Sequence, residues 1–303
     1  MLKKLLTYLG SIIAIISLVF VGQQLVENWQ KVGSYQFTAK SISVLLLGII
    51  SYCTACYLLS AAWYKILLSL CSNSLSAQGI KSIYARSQIA KYIPGNVMQI
   101  AGRHVLTRRL GVGHKLLAIA SLTEIVGLVM ASCTLTIIGS AIFGLWGNYI
   151  NPHQLLDGLF ALCIILSLMP IIRYFIVKLI PKSRYYLNNP SLLLAFFLVY
   201  LKYVLFFIIA GTILVGLVYQ LHGELSIYQV AAIIATFSVS WLLGFITPGA
   251  PSGIGIRETI LVVSLDKILL GSTGVLIAIL FRLITVGGDV LFFSIAGRKS
   301  ISQ

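Results

Sequence analysis

Charge is scarce in this chain. Of its 303 residues only 10% are Asp, Glu, Lys or Arg, against about 25% in a soluble globular domain. Acidic residues are the rarest class, seven against 22 Lys and Arg. They form no Asp-rich cluster and no His/Asp metal spacing, so the carboxylates that a glycosyl- or phosphotransferase uses as base or metal ligands are not gathered anywhere. No metal, no cofactor and no enzymatic activity is expected. A P-loop is missing, which removes ATP as a direct energy source. No hydrophilic stretch is long enough for a soluble domain. Of the five cysteines, Cys53 and Cys56 form a CxxC, but it lies in an apolar run with no second pair and no nearby His. Redox or metal chemistry needs an accessible thiolate, so these are expected to be packed small residues.

What is abundant is apolar surface. The chain is 59% hydrophobic with a mean hydropathy of +1.00, and runs near the ~20 residues that cross hydrocarbon as a helix recur from end to end. Apolar stretches fall at 5–26, 41–70, 115–143, 155–180, 191–221, 227–246, 254–265 and 272–296. The first is too long for a signal peptide, lacks a small-residue cleavage site and is followed by further spans. The expected class is an all-α polytopic membrane protein of a bacterial-type inner or plasma membrane. The net charge of +15 then belongs to cytoplasmic loops and to anionic lipid headgroups, and nucleic acid is not an expected partner.

The basic residues set an orientation. Lys3 and Lys4 precede the first span; Lys81, Arg86, Lys91, Arg103, Arg108, Arg109 and Lys115 lie between the second and third; Arg298 and Lys299 end the chain. The alternate loops "GLWGNYINPHQ" and "QLHGELS" carry no charge and one charge. Both termini are therefore expected in the cytoplasm.

Two stretches break the apolar pattern in the same way. In "YIPGNVMQIAGRHVL" Arg103 follows Pro94 by nine residues; in "ITPGAPSGIGIRETIL" Arg257 follows Pro248 by nine. The two prolines are 154 residues apart, about half the chain, and the flanking spans roughly keep that offset. Residues 1–150 and 151–303 each read as span, span, broken segment, span. Three full spans is an odd number, so a tandem copy enters the membrane from the opposite side, as in inverted-topology transporters. The broken segments, 78–110 and 227–265, are expected to be re-entrant hairpins that turn at Pro94-Gly95 and at Pro248, Gly249 and Pro251. The alternative is that Pro248 ends one complete span and another begins; 254–265 is short for that.

Irregular backbone at membrane depth is tolerated where it lines a cavity. The free N–H groups and positive helix end near Gly253 and Gly255 are an expected anion site. Arg257 adds a permanent charge able to fork onto a phosphate, and Arg103 does the same from the other hairpin, with Gly95 and Gln99 beside it. Glu258 is the expected holder of Arg257 when no ligand is bound.

"AKYIPGNVMQIAGRHVLTRRLGV" and "FITPGAPSGIGIRETIL" resemble the two signature regions of the flippase-like lysylphosphatidylglycerol synthase transmembrane family. Those regions run K-Y-x-P-G to G-R, and P-G-x-x-G-x-G-x-R-E. The matching residues are Lys91, Tyr92, Pro94, Gly95, Gly102 and Arg103, then Pro248, Gly249, Gly253, Gly255, Arg257 and Glu258. The resemblance implies lipid handling. In two-domain members the membrane part moves aminoacylated phosphatidylglycerol between leaflets, and a soluble domain makes that lipid. A sequence ending at Gln303 is expected to lack the synthase domain. Some short members are linked to polyprenyl-phosphate glycan pathways, so the lipid stays open.

Ionisable groups inside spans are costly and often functional. Glu124 lies in "LAIASLTEIVGLVM", while Arg282 and Asp289 are seven residues apart on one helix face. Glu124 and Asp289 either balance Arg103, Arg257 and Arg282, carry a coupling proton, or form internal ion pairs that lock helices. His104 either joins the anion site or sits solvated at the interface. Trp63 is expected at the membrane interface, and Gly127, Gly139, Gly211 and Gly216 at close helix contacts. The expected function is transport of an anionic phospholipid or polyprenyl-phosphate lipid, its phosphate held by Arg103 and Arg257. A membrane accessory protein, or a transferase of a lipid-linked glycan pathway, is the alternative. A homo-oligomer or a biosynthetic partner is compatible with either.

Overall fold

The computed structural model describes Val26 and residues 37–71, 75–92, 98–146, 190–247, 251–269 and 273–298. Among these residues every regular element is helical. In chain order they are α1 (Ala39–Leu70), α2 (Ala77–Ile89), α3 (Met98–Arg108), α4 (His114–Trp146), α5 (Pro190–His222), α6 (Ile227–Ile246), α7 (Ile256–Leu269) and α8 (Gly274–Phe292). A 3-10 turn, Ala90–Tyr92, extends α2; another, Pro251–Gly253, precedes α7; a π-helical turn, Phe293–Gly297, ends α8.

Five stretches are long and apolar enough to cross a membrane: Ala39–Leu70, His114–Ile142, Leu194–His222, Ile227–Ile246 and Gly274–Gly297. They match five of the runs read from the sequence. The run at 254–265 does not join them. It belongs to α7, whose 14 residues reach about 21 Å at 1.5 Å per residue, short of the ~30 Å hydrocarbon core. The expected spans 5–26 and 155–180 lie outside the described residues, apart from Val26.

Helix starts follow the sequence. Thr38 caps α1 by accepting the Ser41 N–H at 3.2 Å. Ser76 caps α2 through the Gly79 N–H. Ser226 and Gln229 form a reciprocal capping box at α6. Each satisfies N–H groups that the first turn leaves without an intrahelical partner.

The helices pack around an aromatic core of Tyr52, Phe206, Phe207, Phe237, Trp241 and Phe281. α1 packs on α5 and α8, and α4 on α5 and α6. Small residues permit the approach: a Cβ on Gly139 would lie 2.5 Å from the Ala231 carbonyl oxygen, and one on Gly288 would lie 2.8 Å from the Tyr52 ring. A Cβ on Gly127 would lie 2.6 Å from the Tyr203 ring, and one on Gly211 would lie 3.0 Å from Ile234. Gly216 differs from expectation, since open space surrounds the place of its missing Cβ. The outer surface carries Leu47, Leu194, Phe197 and Leu283 in exposed positions, a distribution that suits lipid contact and would promote aggregation in water.

The two broken segments meet inside this bundle. α2 packs on α3, α6 packs on α7, and the Ala90–Tyr92 turn lies against the Pro251–Gly253 turn. Ser252 (φ 53°) and Gly253 (φ 68°) both adopt left-handed backbone there.

Candidate functional site

Where the turns meet, the interior is polar. α3 carries Arg103 and α4 carries Glu124, 3% and 4% exposed. Arg103 Nη1 forms an ion pair with Glu124 Oε2. Arg103 Nε donates to Ser87 Oγ of α2 at 3.2 Å. The guanidinium lies 3.7 Å from the centre of the Tyr84 ring and 5.1 Å from that of Trp63. Tyr84 in turn donates its hydroxyl to Glu124 Oε1 at 2.8 Å. Both carboxylate oxygens are engaged, and the charge of Arg103 is neutralised where it sits.

A second pair ties the Ala90–Tyr92 turn to α8. Asp289 is wholly buried. Its Oδ2 lies 2.5 Å from Lys91 Nζ and accepts the Tyr92 hydroxyl at 2.6 Å. Its Oδ1 accepts the thiol of Cys56 at 3.6 Å. The third pair is Glu258 with Arg282, Oε1 to Nη1 at 3.5 Å. Glu258 Oε2 also accepts the Gly255 N–H at 2.7 Å, capping the helix in which it sits.

Arg257 stands apart. Its Nε is buried with no hydrogen-bond partner, and no carboxylate among the described residues pairs with it. Its guanidinium lies 5.8 Å from the Trp241 ring centre. Two glycines cradle the side chain: a Cβ on Gly244 would fall 2.6 Å from Arg257 Cγ, and one on Gly253 would fall 2.8 Å from Arg257 Nε. The interior cluster of Lys91, Arg103, Arg257 and Arg282 faces Glu124, Glu258 and Asp289. Among the described residues one positive charge is left over, and geometry assigns it to Arg257. The residue as a whole is half-buried, but its buried Nε lacks the partner that an anion would supply, so this position is poised to take an anion.

Arg103, Glu124 and Arg257 line one cavity, with Lys91, Gln88, Gln99 and Ser252 as further polar walls. Tyr52, Phe206, Trp241 and Phe245 supply its apolar side. A smaller cavity also has Arg257 on its wall, with Glu258, Arg282, Ser240 and Thr285.

Several sequence expectations are placed differently. Glu258 does not hold Arg257; it caps α7 and pairs with Arg282. The Gly255 N–H is therefore engaged, and the positive end of α7 already faces a carboxylate. Gly253 and Gly255 are turn-formers, at φ 68° and 85°. Arg282 and Asp289 share a face of α8 but take separate partners. Trp63 is fully buried beside Arg103 and presents no surface to lipid or headgroups. His104 joins His114, Nε2 to Nδ1 at 3.0 Å, and is not on the cavity wall. Gln99 is on that wall. Pro251 opens the second 3-10 turn. Pro94, Gly95, Pro248 and Gly249 lie outside the described residues.

Sequence reasoning missed Tyr84, Ser87 and Gln88, and gave Lys91 no site role. These lie three, four and seven residues apart, a polar stripe on one helical face, and that spacing was available in the sequence. Gly244 carried no such signal, because its role depends on a side chain thirteen positions later. No family model matches this chain, and no match is found among curated proteins.

Proposed function

We propose that this protein is an integral membrane transporter that moves an anionic lipid between leaflets, as a member of the flippase-like lysylphosphatidylglycerol synthase transmembrane family. The observation that carries the proposal is Arg257: a half-buried cation with a buried, unpartnered Nε and no carboxylate partner among the described residues, on the wall of a cavity that also holds Arg103. A phosphodiester or singly ionised phosphate headgroup docks on Arg257 and brings the interior cluster from one excess positive charge to neutrality. Arg103, held over the Tyr84 ring and paired with Glu124, offers fixed N–H groups from the wall of the same cavity, and Gln88 and Gln99 reach headgroup hydroxyls. The acyl or polyprenyl chains stay in lipid. Loading removes the uncompensated charge, which lowers the cost of switching the cavity from one side to the other.

An inverted repeat supports alternating access, and the packing is consistent with one. With α1 equivalent to α5, α2 and α3 to α6 and α7, and α4 to α8, the helix contacts pair off. α1 on α8 is matched by α5 on α4, α4 on α6 by α8 on α2, and α3 on α4 by α7 on α8. In this arrangement α2–α3 and α6–α7 are re-entrant hairpins dipping from opposite faces, both termini are cytoplasmic, and the chain crosses a plasma-type membrane several times.

The test is translocation in proteoliposomes, with labelled phosphatidylglycerol and a labelled polyprenyl phosphate as anionic lipids and phosphatidylcholine as the zwitterionic control. Wild type moves at least one anionic lipid faster than the control. Arg257→Ala slows that movement at least tenfold while the thermal midpoint stays at or above wild type. A full rate in Arg257→Ala refutes the proposal.

A further inference from the structure

We propose that the smaller cavity is a separate binding site for one small monovalent anion of the chloride class, held between Arg257 and Arg282. Two residues on its walls each carry a buried donor with no hydrogen-bond partner among the described residues, Arg257 through Nε and Arg282 through Nη2. They come from different helices, α7 and α8, which pack side by side. A buried N–H without a partner costs free energy that an anion would recover, and two guanidinium groups lining one space repel each other until something negative lies between them.

The surroundings select the anion. Glu258 is on the same wall and already pairs with Arg282 through Nη1, so the cavity carries one excess positive charge, not two. A divalent sulfate or phosphate would overshoot that balance and crowd the carboxylate. The other walls are Tyr52, Phe237, Leu261, Ala278 and Phe281, which favours an ion that sheds water readily. Ser240 and Thr285 do not compete as donors, since their hydroxyls already donate to Phe237 and Arg282 carbonyls. Such an anion supplies the missing charge of Arg257 when no headgroup lies in the larger cavity. The site requires no lipid, and its failure would leave the transport proposal standing.

The experiment uses the full chain purified in detergent, without lipid substrate. Thermal midpoints are measured against chloride, bromide, sulfate and gluconate at constant ionic strength, because a ligand that binds only the folded state raises the midpoint saturably. Chloride and bromide are expected to give saturable rises, with gluconate and sulfate flat. Arg282→Gln is expected to raise the half-saturating chloride concentration at least tenfold. Glu258→Gln, which removes the competing carboxylate, is expected to lower it at least threefold. If Arg282→Gln does not fold, Glu258→Gln decides alone. Chloride and gluconate curves that superimpose, sulfate acting as strongly as chloride, or an unchanged half-saturation in Glu258→Gln overturns the site.

Discussion

Arg103 and Glu124 are joined across two helices beneath the Tyr84 ring, and each is almost entirely withdrawn from solvent. Removing one partner leaves the other as a lone buried ion, a loss of about 3–5 kcal/mol in a buried pair. Glu124→Gln and Arg103→Met are each expected to lower stability by that order, read from reversible unfolding in mixed micelles. The double variant Arg103→Met with Glu124→Met is expected to recover most of the loss, since neither charge is then stranded. Additive single losses would show that the two side chains act independently.

The cradle of Arg257 gives a test that leaves its charge in place. In an open helix position Gly→Ala gains about 0.5–1 kcal/mol from backbone entropy. Gly216→Ala on α5, with nothing near its new methyl, is expected to show that gain. Gly244→Ala on α6 would place a methyl 2.6 Å from Arg257 Cγ. The side chain must move out of its groove, so stability is expected to fall and lipid translocation to drop with the arginine still present. A Gly244→Ala protein as stable and active as Gly216→Ala would mean that the groove does not position Arg257.

The helical class, five candidate spans and the two broken segments were all legible in the sequence, because lipid solvent imposes long apolar helices and makes any interruption conspicuous. Arg103 and Arg257 were legible for the same reason: charge next to Pro and Gly in hydrocarbon is costly. Their different states were not. Which carboxylate neutralises which arginine depends on contacts between helices, and neighbours in sequence misled. Glu258, adjacent to Arg257, turns back to cap its own helix, whereas Glu124, twenty-one positions from Arg103, crosses to it. Arg282 and Asp289 were grouped by their spacing, yet the packing of α7 and the Ala90–Tyr92 turn separates them.

The proposed topology assigns the two exposed connections that flank the hairpins to opposite sides of the membrane. Lys115, after α3, is expected on the cytoplasmic side, and Glu224, between α5 and α6, on the outer side. Both residues are exposed. Lys115→Cys and Glu224→Cys, each in a cysteine-free background, are expected to react with a membrane-impermeant maleimide from opposite faces of oriented vesicles. Labelling of both from one face would eliminate the inverted arrangement.

Asp289 gathers three donors from two separate places: Lys91 and Tyr92 on the first broken segment, and Cys56 on α1. It thereby fastens the turn that rests against Pro251–Gly253. Asp289→Asn keeps the shape but strands Lys91 as a buried cation, so a loss of about 3–5 kcal/mol is expected, with most of it recovered when Lys91→Met is added. The thiol reports on the same latch. In a variant whose only cysteine is Cys56, which is fully buried, a small permeant maleimide is expected to react slowly. Asp289→Asn should speed that reaction at least tenfold, because the turn then opens more often. Equal rates in the two backgrounds would show that the turn stays closed without the carboxylate, and that the fastening comes from the apolar packing of α1 and α8.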